Sequence, residues 1–97
     1  MIVHVVMWKF KDDIDGPGEF PGMKKELEAL VGTVPGLISL ELGLNENSSA
    51  PAWDVTLRSE HESPRALEEY RVHPAHKAAA ERISSMMKDR AVVDYRR

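Results

Sequence analysis

Cysteine is absent from this sequence of 97 residues. Disulfide bonds, thiolate nucleophiles, cysteine-ligated zinc and iron–sulfur clusters are therefore excluded. The lack of cysteine also fits the reducing cytoplasm, where we predict the protein to be located. The length predicts one domain, residues 1–97. Because a domain this small buries a modest share of its surface, a second copy is an expected source of further stability.

Long hydrophobic runs and a strong charge of either sign are also lacking. The most apolar stretch, residues 1–10, is short and is interrupted by His4 and Lys9. It does not have the pattern of a signal peptide or of a membrane-spanning helix. The formal net charge is −3, and the basic residues form no stripe with interleaved aromatics. The sequence therefore predicts neither a nucleic acid nor a membrane as partner.

The spacing of apolar residues predicts the element order β-α-β-β-α-β. A leucine and valine stripe with i, i+3, i+4, i+7 spacing predicts a helix over residues 23–34. The glycine- and proline-rich residues 12–22 before it are predicted to be a loop, or a loop that ends at a helix start. The first strand is apolar at both parities, so both of its faces should be covered. The two middle strands alternate and are joined by a polar hairpin loop. The predicted strands are residues 2–11, 37–44, 53–59 and 91–95.

The second helical segment is interrupted by a proline. Ser63 and Pro64 predict its start, with serine as the N-cap and proline at the first helical position. The helical pattern runs to about Val72, breaks at Pro74 and resumes to about Met87. The whole order is that of a ferredoxin-like α+β fold, in which helices cover one face of a four-stranded antiparallel sheet.

Helices on one side leave the other face of the sheet without a cover. Both sets of side chains that the first strand can turn to that face are too apolar to leave in water. We therefore predict a symmetric homodimer with the two sheets packed face to face. The two candidate sets are Val3, Val5 and Met7, or His4, Val6, Trp8 and Phe10. The residues expected near the contact or at its rim are Ser39, Glu41, Asp54, Thr56 and Arg58.

The segment from Tyr70 to His76 concentrates groups that can move protons. It holds two histidines and a tyrosine within seven residues, and histidine titrates near neutral pH. On one unbroken helix Tyr70 and His76 would lie on different faces. A break at His73 and Pro74 lets them point into one space.

Several segments resemble the stress-responsive dimeric α/β-barrel (Dabb) family over nearly the whole chain. The resemblance implies a ferredoxin-like protomer whose sheet closes into a barrel with that of a second copy, in agreement with the predicted dimer. The matching segments are His4–Asp12, Pro35-Gly36-Leu37, Gly43-Leu44-Asn45, Trp53-Asp54-Val55 and Tyr70-x-x-His73-Pro74-x-His76.

One plant branch of this family acts as polyketide cyclases, which close a ring by intramolecular aldol condensation without metal or cofactor. Their working residues match His76, Tyr70 and His4 of this sequence. The resemblance thus implies a pocket between helix and sheet for a small, partly apolar molecule. In that pocket His76 is the base, Tyr70 orients a carbonyl or stabilises an oxyanion, and His4 is a secondary donor.

Each of the three residues also has a structural interpretation. A histidine on an apolar helix face can be a core residue bonded to backbone or to Tyr70, and His4 can be a satisfied core histidine. Tyr70 can be a core aromatic with its hydroxyl bonded. Two functions other than cyclase-like chemistry therefore remain open, a non-catalytic stress or structural dimer and a cofactor-independent monooxygenase of the same fold.

The remaining histidines predict neither catalysis nor a metal site. His73 is expected to cap the second helical segment, and His61 is expected to be solvated in a charged loop. His73 and His76 have i, i+3 spacing, but no third ligand stands at a suitable distance in the sequence. The acidic stretch Asp12–Asp15 is interpreted as a solvated loop.

Overall fold

The computed structural model describes all residues from Met1 to Arg97 and shows a ferredoxin-like βαββαβ fold. The strands form one antiparallel sheet in the order β2-β3-β1-β4. None of the helices has both the length and the apolar character needed to span a membrane. The elements are β1 (Ile2–Phe10), α1 (Gly16–Glu28), β2 (Leu37–Leu44), β3 (Val55–His61), α2 (Pro64–Val72), α3 (Pro74–Ser84) and β4 (Met87–Arg96).

Strand β1 lies inside the sheet, and its side chains alternate between two environments. The even-numbered residues are buried on the face that the helices cover, and all except His4 join the main hydrophobic cluster. The odd-numbered residues lie on the opposite, open face, because successive side chains of a strand point to opposite faces. Of the two sets predicted for the open face, the structure therefore selects Val3, Val5 and Met7.

Helix α1 begins earlier and ends earlier than the apolar stripe predicts. The Asp15 side chain caps its start by accepting from the backbone N–H of Gly18 at 3.1 Å, and Pro17 occupies the first turn. The predicted loop, with or without a helix start at its end, is therefore shorter than residues 12–22, because glycine and proline here already begin the helix at Gly16. Residues 29–34 form turns instead of helix, with Gly32 at a φ of 89°, a conformation that favours glycine.

The bounds of three further elements differ from the prediction. Strand β3 starts at Val55 instead of 53 and extends to His61, helix α3 ends at Ser84, and strand β4 starts at Met87. The expectation that His61 is solvated is wrong, since its side chain is fully buried. The reason is that Leu57, Ser59 and His61 share one parity of β3, so the strand carries His61 under the helices.

The junction between α2 and α3 follows the prediction from its capping residues. The Ser63 hydroxyl accepts from the backbone N–H of Ala66 at 3.1 Å and caps α2. His73 separates the helices in an extended conformation, and its Nδ1 accepts from the N–H of Ala75 at 3.1 Å. The capping role predicted for His73 is thus confirmed. Pro74 is the first residue of α3, where its missing N–H costs no helical hydrogen bond.

Candidate functional site

The helix break brings Tyr70 and His76 into contact. Their ring centroids lie 4.1 Å apart, with 39° between the ring planes. Tyr70 lies on α2 and is only 1% exposed, whereas His76 lies in the first turn of α3 and is partly buried. The turn at His73 reorients α3 relative to α2, which one continuous helix would not do.

His4 lies beneath these rings and is held by a carboxylate from the neighbouring strand. The sheet register places His4 between Ser59 of β3 and Asp94 of β4. The His4 ring donates from Nδ1 to Asp94 Oδ1 at 2.5 Å, and Arg71 donates to Asp94 Oδ2 at 2.8 Å. Asp94 therefore orients the His4 ring and in turn is fixed by a guanidinium group.

A fourth titratable ring, His61, is part of the same cluster. Its centroid lies 4.8 Å from that of Tyr70 and 6.1 Å from that of His4. Its Nε2 and the Ser59 hydroxyl are 2.8 Å apart, while its Nδ1 is buried without a partner. Burial lowers the pKa of His61 to about 4, so the ring is neutral at physiological pH.

A pocket of about 220 Å³ opens between the helices and the sheet at this cluster. His4, Tyr70 and His76 all line it, together with Ser84 and Arg90. The structure thus brings the three residues selected from the sequence to one cavity. The remaining lining residues are apolar: Val6, Trp8, Leu27, Leu57, Ala80 and Ile83.

The hydrogen bonds fix which nitrogen of His76 carries the proton. Its Nδ1 lies 3.3 Å from the Arg71 carbonyl oxygen, and because a carbonyl only accepts, Nδ1 must be the protonated nitrogen. Nε2 is then unprotonated and has no protein partner. Burial is the main cause that lowers the pKa of His76, which keeps the neutral, proton-accepting form present near neutral pH.

The Tyr70 hydroxyl is a hydrogen-bond donor, whereas Nε2 of His76 is an acceptor. Burial raises the pKa of Tyr70 to about 12, so the hydroxyl stays protonated. It makes no hydrogen bond within the protein and is available as a donor to a bound molecule. For His4, the proton on Nδ1 is directed at Asp94, so a neutral ring presents Nε2 as an acceptor. The predicted donor role of His4 therefore requires its protonated form.

A larger cavity of about 460 Å³ lies at another end of the sheet, next to the start of α1. It is more open to solvent, and none of the three selected residues lines it. Asp12 and Lys88, which do line it, are paired with each other at 2.6 Å. We therefore place the candidate site at the smaller pocket, where partly buried titratable groups converge. No group of three or more histidine, aspartate or glutamate side chains is arranged to hold a metal ion.

Residues 2–97 match the family model of the stress responsive A/B barrel domain, Dabb. The chain belongs to the Dabb family. A comparison with curated proteins found no significant match.

Solved structures with the same fold agree with this membership. A dimeric protein of unknown function with a ferredoxin-like fold from Bacteroides fragilis is 29% identical, with a TM-score of 0.89 over 99% of this chain and 95% of its own. A dimeric ferredoxin-like protein of unknown function from Thermobifida fusca is 23% identical, with a TM-score of 0.85 over 97% and 88%. A hydroxynitrile lyase from Passiflora edulis is 13% identical, with a TM-score of 0.83 over 97% and 90%. Dimers are thus known among structures that resemble this Dabb chain.

Four residues of the site were missed at the sequence level. Asp94 and Arg90 share the helix-facing parity of β4 with Val92, but only the strand register shows that Asp94 lies opposite His4. Arg71 lies next to Tyr70 in the sequence and reaches Asp94 across a separation of 23 residues. The signal for His61 was present, because continuing the alternation of β3 for two more residues places it on the helix-facing side.

Proposed function

We propose that the pocket of this Dabb protein supports cofactor-free acid–base chemistry on a small, partly apolar β-polyketone, as in polyketide cyclisation. The observation that carries the proposal is that His76 Nε2 and the Tyr70 hydroxyl have no protein partner and belong to adjacent rings lining one pocket. One is an acceptor and the other is a donor near neutral pH. A pair with these properties is what general acid–base catalysis requires.

In the proposed reaction, His76 Nε2 removes a proton from a carbon next to a carbonyl of the substrate. The resulting enolate carbon attacks a second carbonyl carbon of the same molecule, and a carbon–carbon bond forms. The electron pair of that carbonyl moves to its oxygen, where the Tyr70 hydroxyl donates a hydrogen bond. The protonated His76 then returns its proton to this oxygen, which leaves a cyclic hydroxyketone and restores the base.

His4 supports this reaction from the sheet side of the pocket. Because Asp94 accepts the Nδ1 proton, the protonated ring would be paired with a carboxylate while Nε2–H faces the substrate. Asp94 and Arg71 act through His4 and are positioning residues. A fold-level analogy also supports an enzyme, since the structurally similar Passiflora protein is a hydroxynitrile lyase.

Tyr70→Phe tests the role of the hydroxyl while keeping the packing of the ring. We expect ring closure of linear β-polyketones, followed by the absorbance of the cyclic product, to slow by about 10²–10³-fold. The thermal midpoint should change little, because the hydroxyl makes no hydrogen bond in the protein. If the wild type turns over no member of a β-polyketone panel, we would reject the enzyme hypothesis in favour of a non-catalytic stress or structural dimer.

We also propose that two copies associate through the open face of the sheet. Exposed apolar side chains of the edge strand β4 lie on this face: Val93 is 59% exposed and Tyr95 45%. Val93 is paired with Val5 of the interior strand β1, so the patch continues across strands. Burying such a patch against its own copy is the economical way to remove it from water. The cytoplasmic location stays a prediction, supported by the lack of cysteine.

Val93→Arg should convert the dimer to a monomer, because it places a charge within the proposed contact. The matched control is Val72→Arg, which adds the same charge at an apolar position that is 66% exposed at the end of helix α2. Light scattering coupled to size exclusion gives the mass of each variant. Dimers of both variants, or monomers of both, would argue against the open face as the contact.

A further inference from the structure

Arg90 is the one charged side chain among the residues that line the pocket. It lies on β4 directly opposite Trp8 of β1, on the face that the helices cover. It forms no ion pair and no side-chain hydrogen bond. Every other arginine except Arg96 is paired with a carboxylate. A guanidinium group at a pocket without an anionic partner is an available binding group.

No carboxylate of the protein compensates this charge inside the pocket. No aspartate or glutamate residue lines the pocket. Asp94 lies on the same face of β4, but its oxygens are engaged by His4 and Arg71. The charge of Arg90 also acts on the reacting groups, because it is among the causes that lower the pKa of His76. Arg90 and His76 both line this pocket.

The position of Arg90 is at the border of the pocket. Trp8, Ser84 and Arg90 line both the pocket and an adjoining surface depression. The Ser84 hydroxyl makes no side-chain hydrogen bond and is a second polar group there. The other side of the pocket is apolar, with Val6 and Leu57 of the central strands. The cavity therefore has Arg90 and Ser84 at its mouth, beside a depression that Lys88 and Asp89 also line, and an apolar wall on the opposite side.

We propose that Arg90 selects substrates that carry a carboxylate, which it binds at the mouth while the rest of the molecule extends inward past His76 and Tyr70. The planar guanidinium donates two parallel hydrogen bonds to a carboxylate, which fixes orientation as well as affinity. This inference rests on the proposed function, because it names the class of β-keto compound that the pocket accepts. The substrate class is a β-polyketo acid with an apolar chain, which carries the two ketone carbonyls that ring closure requires in addition to the carboxylate.

The experiment compares two probes of nearly equal shape, 3-phenylpropionate and 3-phenylpropanamide, by isothermal titration at one ionic strength. The wild type should bind the carboxylate about tenfold more tightly than the amide. Arg90→Gln should lower the affinity for the carboxylate to that for the amide and so remove this preference. The control is Arg96→Gln, which removes the same charge from another unpaired arginine of β4 that does not line the pocket. This control should keep the preference.

Equal binding of both probes by the wild type would overturn the inference, and so would an equal loss in the two glutamine variants, which would show a general charge effect. Binding and turnover measured together distinguish a failure of this inference from a failure of the proposed function. A carboxylate preference that depends on Arg90, with no turnover of any β-ketone, would retain this inference for a binding pocket and reject the enzyme. Turnover of neutral β-polyketones with no carboxylate preference would reject Arg90 as selector and retain the chemistry.

Discussion

Replacing His76 by glutamine should lower kcat/KM for ring closure by about 10²–10⁴-fold, the contribution typical of a general base. Glutamine can still donate to the Arg71 carbonyl and fills a similar space, but it cannot accept a proton at neutral pH. In the wild type, kcat/KM should rise with pH through the pKa of His76, which burial places below its usual value. The glutamine variant should lack this rise. Initial rates of product formation measured across pH give both results.

The matched control is His73→Asn, which removes a histidine three residues away. His73 caps α3 and does not line the pocket, and asparagine is a good N-cap residue. This variant should keep the rate and pH profile of the wild type. Equal rates for His76→Gln and the wild type would remove His76 from the chemistry. Equal losses in the two variants would show that the helix junction matters for structure alone.

Acidification should destabilise the protein through His61, by roughly 3 kcal/mol between neutral pH and pH 4. The ring titrates at about 4 in the folded protein, against 6.5 for the free side chain. Between these values the unfolded chain binds a proton that the folded protein does not. The stabilisation is therefore fully present above pH 6.5 and is lost as the pH falls towards 4.

His61→Gln provides the comparison for this effect, because an amide can bond the Ser59 hydroxyl but does not titrate. The free energy of unfolding from urea denaturation should fall less between pH 7.5 and pH 4.5 in the variant than in the wild type. The value at pH 7.5 separately gives the packing cost of the substitution. Parallel pH profiles for the two proteins would show that His61 is not the acid-sensitive group.

The fold could be predicted from the sequence because its strands and helices differ clearly in period. Both parities of β1 are apolar, which indicates an interior strand, and Ser63 and Pro64 locate the start of α2. Helix α1 was misplaced because a proline at a helix start and a proline in a loop look alike without the capping contact of Asp15. The parity of β1 that faces the helices needed the three-dimensional structure.

The candidate site was only partly predictable, because some of its residues depend on register. Tyr70 and His76 are close in sequence, and a helix break was enough to suggest their proximity. Asp94 meets His4 across 90 residues, and a shift of β4 by one residue would turn its side chain to the other face. The absence of an ion pair at Arg90 also cannot be read from a sequence that contains many acidic residues.

Nitrogen-15 NMR of the histidine rings, recorded while the β-diketone acetylacetone is added, reports on the presence of a free base in the pocket. We expect His76 to carry its proton on Nδ1, its Nε2 to titrate below the usual histidine pKa, and the ligand to shift the resonance of this nitrogen. A His76 ring with the proton on Nε2, with an ordinary pKa and no response to the ligand, would contradict a free base in the pocket.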